Sequence, residues 1–354
     1  MTSGNSISGN LLTPEGKSSV SVTFDSLIQD VAPLEGSTAL LTAGLIDTHT
    51  HGGSGYALSA DAESFDALLA HGRKHGVART LLSTVSASSA DILEILSFAD
   101  QRLGKNGFLG IHLEGPFIAE ERCGAHDMGL LRDLTDTELD QLLEHSSLKA
   151  VTIAPERVTT SKVEKLLEAG VRVALGHTDA DYKTALDYFS AGASILTHAF
   201  NAMKPISSRS PGPVVAALDA GAWIEVIADG VHVSPELCAN LARWAGDRLL
   251  LVTDSMSAAN MPDGHYSLGN VDVDVVSGVA RRADDGTLAG STLTLDRAVK
   301  NLIDWGVSPS AAVSAASTSP AACFGLSEPE IAPGLPTEIA VWSSEMELEQ
   351  LILG

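Results

Sequence analysis

The feature that most constrains this chain is a set of chemistry-bearing residues placed at the ends of apolar, strand-like runs. Eight such runs recur, near residues 44–51, 79–85, 108–114, 149–153, 171–177, 193–198, 223–228 and 248–254. Five of them end in His, Glu or Asp: His49 and His51, Glu114, His177, His198 and Asp254. A polar group closing an apolar run is costly in a core and useful at an opening. Helix-like stretches separate the runs, for example 61–75, 91–103, 161–169, 180–191 and 235–245. Strand and helix in alternation indicate an α/β fold with a parallel sheet, and eight repeats predict a (β/α)8 TIM-like barrel. Such a barrel presents the C-terminal ends of all its strands at one mouth, so residues far apart in sequence can converge there.

The residue types at those ends suit a metal. In Gly44-Leu45-Ile46-Asp47-Thr48-His49-Thr50-His51 the histidines are two apart, which on an extended strand puts both on one face. Imidazole and carboxylate ligands suit Zn²⁺ and its neighbours, and a catalytic site keeps a position open for water. A His-x-His alone is a weak signal, more often an ordinary pair of histidines. The further ends at Glu114, His177, His198 and Asp254 reverse that weighting.

The motifs His112-Leu113-Glu114-Gly115-Pro116-Phe117, Gly176-His177-Thr178-Asp179-Ala180, Thr197-His198-Ala199-Phe200-Asn201-Ala202-Met203, Ala228-Asp229-Gly230-Val231-His232, Val252-Thr253-Asp254-Ser255 and Leu288-Ala289-Gly290-Ser291-Thr292 occur in this order. With His49-x-His51 they resemble the N-acetylglucosamine-6-phosphate deacetylase family of the amidohydrolase superfamily, from about Gly44 to about Leu335. The resemblance implies metal-dependent cleavage of an acetamide on an amino-sugar phosphate, in amino-sugar catabolism and recycling. It implies Glu114, His177 and His198 as metal ligands and Asp254 as the catalytic acid and base. Family members that retain His-x-His can hold two metals with the glutamate between them, so two divalent metals per chain are expected, with Zn first and Fe, Mn, Co or Cd as alternatives. His126 matches a histidine that reaches the sugar or its acetamide oxygen. Asn201, Ala202, Arg209 and His232 match phosphate contacts, with the arginine reaching in from a partner subunit in related enzymes; a homodimer is expected. By resemblance, residues 1–42 and 331–354 form a small β-sandwich beside a barrel of residues 43–330. Two alternatives stay open: the galactosamine epimer or another N-acyl sugar as substrate, and a non-catalytic barrel used for binding.

Composition narrows the remaining classes. The chain has 354 residues, room for one barrel of about 250 residues and a small accessory unit. Its 22 basic and 45 acidic residues give a net charge of −23, which disfavours nucleic acid and anionic membranes as partners. The same charge requires an anionic sugar phosphate to be held by a few local cations. Three distant cysteines, Cys123, Cys238 and Cys323, argue against a disulfide framework. The first twenty residues show neither a basic nor an apolar leader region, and no run approaches the ~18 to 20 apolar residues of a membrane span. The expectation is a soluble, cytoplasmic enzyme. His71, His75, His145 and His265 have no motif support and read as structural or surface residues. The alternation Val271-Asp272-Val273-Asp274-Val275 predicts a strand inserted after the eighth barrel strand.

Overall fold

The computed structural model describes residues 5–13, 16–34 and 36–354; the parts of the expected 1–42 unit at 1–4, 14, 15 and 35 lie outside the described residues. Eight parallel strands form one sheet: β1 (Leu45–Asp47), β2 (Val77–Thr84), β3 (Phe108–Glu114), β4 (Leu148–Ile153), β5 (Arg172–Leu175), β6 (Ile195–Leu196), β7 (Trp223–Ile227) and β8 (Leu249–Val252). Each pairs with its neighbour in chain order. Just past their C-terminal ends β1 and β8 also meet, through a parallel bridge between Thr50 and Ser255 and a bond from Asp254 N to His49 O at 2.8 Å. Thr253 Oγ1 donates to Asp47 Oδ2 at 2.7 Å across the same seam. The sheet therefore closes into the expected barrel at the end that carries the ligand residues.

Helices cover the outside for ordinary reasons. Leu295–Asp304 buries Leu295, Ala298, Val299 and Leu302, a single stripe at helical spacing. Ala62–Lys74 begins where the Asp61 side chain accepts from Ser64 N at 2.8 Å. Gly212–Ala220, between β6 and β7, was not expected from the sequence; it is apolar nearly all round and ends on Gly221 in the left-handed conformation.

The N- and C-terminal segments meet in a second, six-stranded sheet in the order Leu348–Leu353, Glu338–Trp342, Leu40–Ala43, Asn5–Thr13, Gly16–Phe24, Ile28–Pro33. It is one continuous hydrogen-bonded sheet that rolls back on itself, with Leu27 bridged to Pro336 and Ile28 N bonded to Leu335 O at 2.9 Å. Val22, Phe24, Ile28, Leu41 and Ile339 form its own core. Arg79 on β2 ties it to the barrel through a 2.8 Å ion pair with Glu338.

The stretch after β8 holds three antiparallel strands, Gly264–Leu268, Val271–Val276 and Val279–Arg282, where one was expected. Val271, Val273 and Val275 face inward while the intervening aspartates are exposed. This small sheet packs on Ala125 and Met256, so it stands beside the barrel mouth. The three cysteines are all free, with Cys238 and Cys323 buried. No helix among the described residues is long and apolar enough to cross a membrane.

Candidate metal centre and active site

The mouth brings together the candidate ligand residues from the ends of five strands. Glu114 is the last residue of β3. His177, His198 and Asp254 lie two residues beyond β5, β6 and β8, so these strands stop short of the ends expected from the sequence. The reason is local: the three residues adopt left-handed φ of 48°, 25° and 47°, which breaks the extended run and turns each side chain at the mouth. Such backbone costs about 1–3 kcal/mol per residue and persists where surrounding bonds hold it. Asp254 N is held by His49 O, and His198 N donates to Glu225 Oε2 at 3.3 Å.

Two groups of side chains bring their donor atoms within 4.8 Å of one another: His49, His51, Glu114 and Asp254, and Glu114, His177 and His198. Glu114 belongs to both. Its Oε1 lies 2.9 Å from His198 Nε2 and 3.2 Å from His177 Nε2, while its Oε2 lies 3.3 Å from His51 Nε2. Asp254 Oδ1 lies 3.1 Å from His51 Nε2.

Hydrogen-bond partners assign the imidazole tautomers, and with them the roles. His49 Nδ1 faces Glu225 Oε2 at 3.1 Å, His51 Nδ1 faces Ser83 O at 3.2 Å and His177 Nδ1 faces Arg122 O at 2.8 Å. These partners only accept, so each Nδ1 carries the proton and each Nε2 offers a lone pair to the centre. The Nε2 atoms of His49 and His51 then lie 3.2 Å apart, and those of His177 and His198 3.0 Å apart. In neutral rings facing lone pairs that close repel unless a cation lies between them, and a carboxylate or carbonyl behind the ring, as at His49, His51 and His177, is the arrangement that orients metal-binding histidines. His198 Nδ1 is buried without a partner. The donor set fits divalent metals of the zinc type.

His126 is the reverse case. Ser86 N donates to its Nδ1 at 3.1 Å, so the proton of the neutral ring sits on Nε2, 3.2 Å from Glu114 Oε2. Its Nδ1 is an acceptor, the reverse of His49, His51 and His177, whose Nδ1 atoms face accepting oxygens.

Against the cost of burial, the carboxylates as opposing charge raise His49, His51 and His198 towards the imidazolium form, and a metal ion bound there would take the place of those protons. Burial opposes the charged form of His51, but hydrogen bonds and charge from Asp254 and Glu114 hold it up to about 9, and His49 is likewise raised well above the ordinary value. The buried carboxylates thus call for positive charge at this pair. Burial pushes His177 down to about 4, which keeps it neutral as a ligand must be. Burial also works against the ionised form of Asp254, yet the charges of His49 and His51 outweigh it and its carboxyl lies well below the usual range.

A cavity of about 300 Å³ opens over these groups. His51, Glu114, His126, His177, His198 and Asp254 line its floor, and Asn201, Ala202 and His232 line one side. Phe200 and Ala202 have left-handed φ of 78° and 47° on either side of Asn201, an alternation that suits backbone amides to an anion. His232 Nδ1 is held by Asp229 Oδ2 at 2.7 Å. Asn201 Nδ2 is committed to the carbonyls of His198 and Ala199. Arg209 does not line this cavity; it is exposed on the Ser207–Ser210 turn. Cys123 lies in the loop between β3 and His126, half-buried, and burial pushes its thiol up, away from the reactive thiolate.

Two residues behind the ligands were not anticipated. Glu225, 3% exposed in β7, orients His49. His112, two residues before Glu114 and therefore on the same face of β3, lies a layer deeper; it bonds Ser83 Oγ at 2.9 Å and Thr152 Oγ1 at 2.8 Å and packs its ring on His49.

Comparison with known proteins places this arrangement. The amidohydrolase family model matches residues 40–352. An N-acetylgalactosamine-6-phosphate deacetylase of Escherichia coli O157:H7 is 38% identical, covering 92% of this chain and 91% of that protein. An N-acetylglucosamine-6-phosphate deacetylase of Vibrio furnissii is 38% identical over 75% of this chain and 68% of its own length. The solved structure of N-acetyl-D-glucosamine-6-phosphate deacetylase from Mycobacterium smegmatis, in complex with N-acetyl-D-glucosamine-6-phosphate, superposes with a TM-score of 0.95 at 34% identity over 99% of this chain and 98% of that one.

Proposed function

The chain belongs to the amidohydrolase family, and from that premise we propose that it hydrolyses the acetamide of N-acetyl-D-glucosamine 6-phosphate to D-glucosamine 6-phosphate and acetate. The observation that carries the reading is that Glu114 belongs to both clusters of donor atoms, its oxygens within 3.3 Å of Nε2 of His51, His177 and His198. His49, His51 and His177 turn Nδ1 to an accepting oxygen behind the ring and Nε2 to the centre, whereas His126 takes Ser86 N–H at Nδ1 and turns Nε2 to the same carboxylate. Histidines of the first kind bind metal; one of the second kind binds a substrate oxygen.

His49, His51, Glu114, His177 and His198 would hold two divalent metals, Glu114 being a member of both donor clusters and zinc the metal best suited to the donors. Metals there supply Lewis-acid polarisation of the amide carbonyl and acidify water towards a pKa of ~7. Asp254 takes the proton from the attacking water and passes it to the leaving nitrogen, without which the amine is a poor leaving group. His126 Nε2–H donates to the acetamide or sugar oxygen. Ala202, Asn201 and His232 receive the phosphate. Arg209, exposed and outside its own chain's cavity, serves the neighbouring site of a homodimer, and the enzyme works in the cytoplasm.

The E. coli relative favours one second reading, the galactosamine epimer. Acetate release from the two 6-phosphates, measured side by side with added metal, tests the proposal. A higher kcat/KM for the glucosamine substrate is expected; preference for the galactosamine substrate selects the second reading, and turnover of neither refutes both.

A further inference from the structure

A second cavity, of about 320 Å³, is lined by none of Asn201, Ala202 and His232. His51 and Leu268 line both spaces, so the two cavities adjoin at His51, whose Nε2 lies 3.1 Å from Asp254 Oδ1. The wall of the second cavity is mixed: Leu58, Val85, Ala87, Ile95 and Leu130 give an apolar stretch, beside polar Ser86, Ser88, Asp91 and Asn270.

We propose that this cavity is an acyl subsite, taking the carbon chain of N-acyl groups longer than acetyl. The inference rests on the deacetylase reading of the metal centre. With the sugar phosphate held by Asn201, Ala202 and His232, the acyl carbon chain leaves the carbonyl past His51, into the cavity that those residues do not line. An acetyl methyl occupies only the entrance. Propionyl and butyryl chains extend along the apolar stretch of Leu58, Val85, Ala87, Ile95 and Leu130. The reaction is unchanged: water adds to the carbonyl, the C–N bond breaks, and the products are the amine and the corresponding carboxylate.

The test compares N-acetyl- and N-butyryl-glucosamine 6-phosphate as substrates of the metal-reconstituted enzyme and of two variants that narrow the cavity, Ala87→Phe and Leu58→Trp. Neither residue lines the cavity over the metal ligands. Burying two further methylenes favours binding by up to about 16-fold, so wild type should hydrolyse the butyryl substrate with a kcat/KM no more than about tenfold below the acetyl one. Each variant should lower the butyryl value by at least about tenfold relative to the acetyl value, since an overfilled pocket costs this much or more. Normal acetyl turnover with a butyryl deficit beyond about tenfold in wild type overturns the subsite and leaves the deacetylase reading standing. Equal losses on both substrates in both variants also overturn it. Turnover of neither substrate removes the deacetylase reading, and this proposal with it.

Discussion

Replacing Glu225 with alanine isolates what a residue outside the ligand set contributes to the metal centre. Its carboxylate is buried in β7, 3.1 Å from His49 Nδ1 and 3.3 Å from His198 N. The alanine variant leaves the Nδ1 proton of His49 without an acceptor in a fully buried ring, and frees the ring to adopt the other tautomer or rotate. A hydrogen bond to a charged group is worth about 1.5–3 kcal/mol. At about 1.4 kcal/mol per factor of ten, this is a loss of roughly 10- to 100-fold in affinity for the metal held by His49 and His51. His177 is oriented instead by Arg122 O, and Glu225 reaches His198 only through its backbone N–H, so the metal proposed at Glu114, His177 and His198 should lose less affinity than the one at His49 and His51. Glu225→Gln keeps an acceptor and should lie between wild type and alanine. The assay is competition with a chromophoric chelator followed by elemental analysis, with circular dichroism as a check on folding. A folded Glu225→Ala protein that holds both metals as tightly as wild type would refute the orienting role.

Three further outcomes follow from the same geometry. Asp254→Asn preserves shape but removes the base, so kcat should fall by at least ~10² while substrate affinity persists by direct binding measurement; near wild-type kcat excludes the assigned role. Arg209→Ala should lower kcat/KM for the phosphorylated substrate by roughly 30- to 1000-fold, the loss of a charge-assisted phosphate contact worth about 2–4 kcal/mol, and barely change activity on the unphosphorylated sugar; equal losses on both make Arg209 structural. His71 is buried against Ser54 Oγ at 2.9 Å, and burial with the charges of His75 and Lys74 pushes it down to about 4. Its unfolded pKa is about 6.5, so the unfolded chain takes up the proton first. Stability should therefore fall by up to about 3 kcal/mol between pH 6.5 and 4, and a His71→Gln variant whose denaturation midpoint is equally acid-sensitive would contradict this.

The barrel and the cluster of side chains at its mouth were legible because both rest on local signals. Apolar runs of strand length alternate with helical stripes, and a charged or imidazole side chain at the end of an apolar run marks the mouth. What lies behind the ligands was harder to see. Glu225 does carry a signal, a single carboxylate inside the apolar run Trp223–Ile227 that burial would penalise unless paired. Its partner is unreadable, because His49 comes from β1, two strands away round the barrel, and only the closed three-dimensional register brings them together. The kinked strand ends at His177, His198 and Asp254 were read as extended for a related reason: a left-handed φ in a non-glycine residue leaves no trace in composition. The helix Gly212–Ala220 escaped notice because it lacks the polar face that gives helices their period. Arg209 marks a different limit, since a single chain does not contain the site it is proposed to serve.

The central claim is that Glu114 joins two metal positions into one hydrolytic centre, and a single titration tests it. Chelator-treated protein is given increasing Zn²⁺, and acetate release from N-acetyl-D-glucosamine 6-phosphate is followed at each metal-to-chain ratio. Activity should be near zero at the start and rise to a plateau at two metals per chain. Full activity in the chelated protein, or a plateau reached at one metal per chain with no further rise, would contradict it.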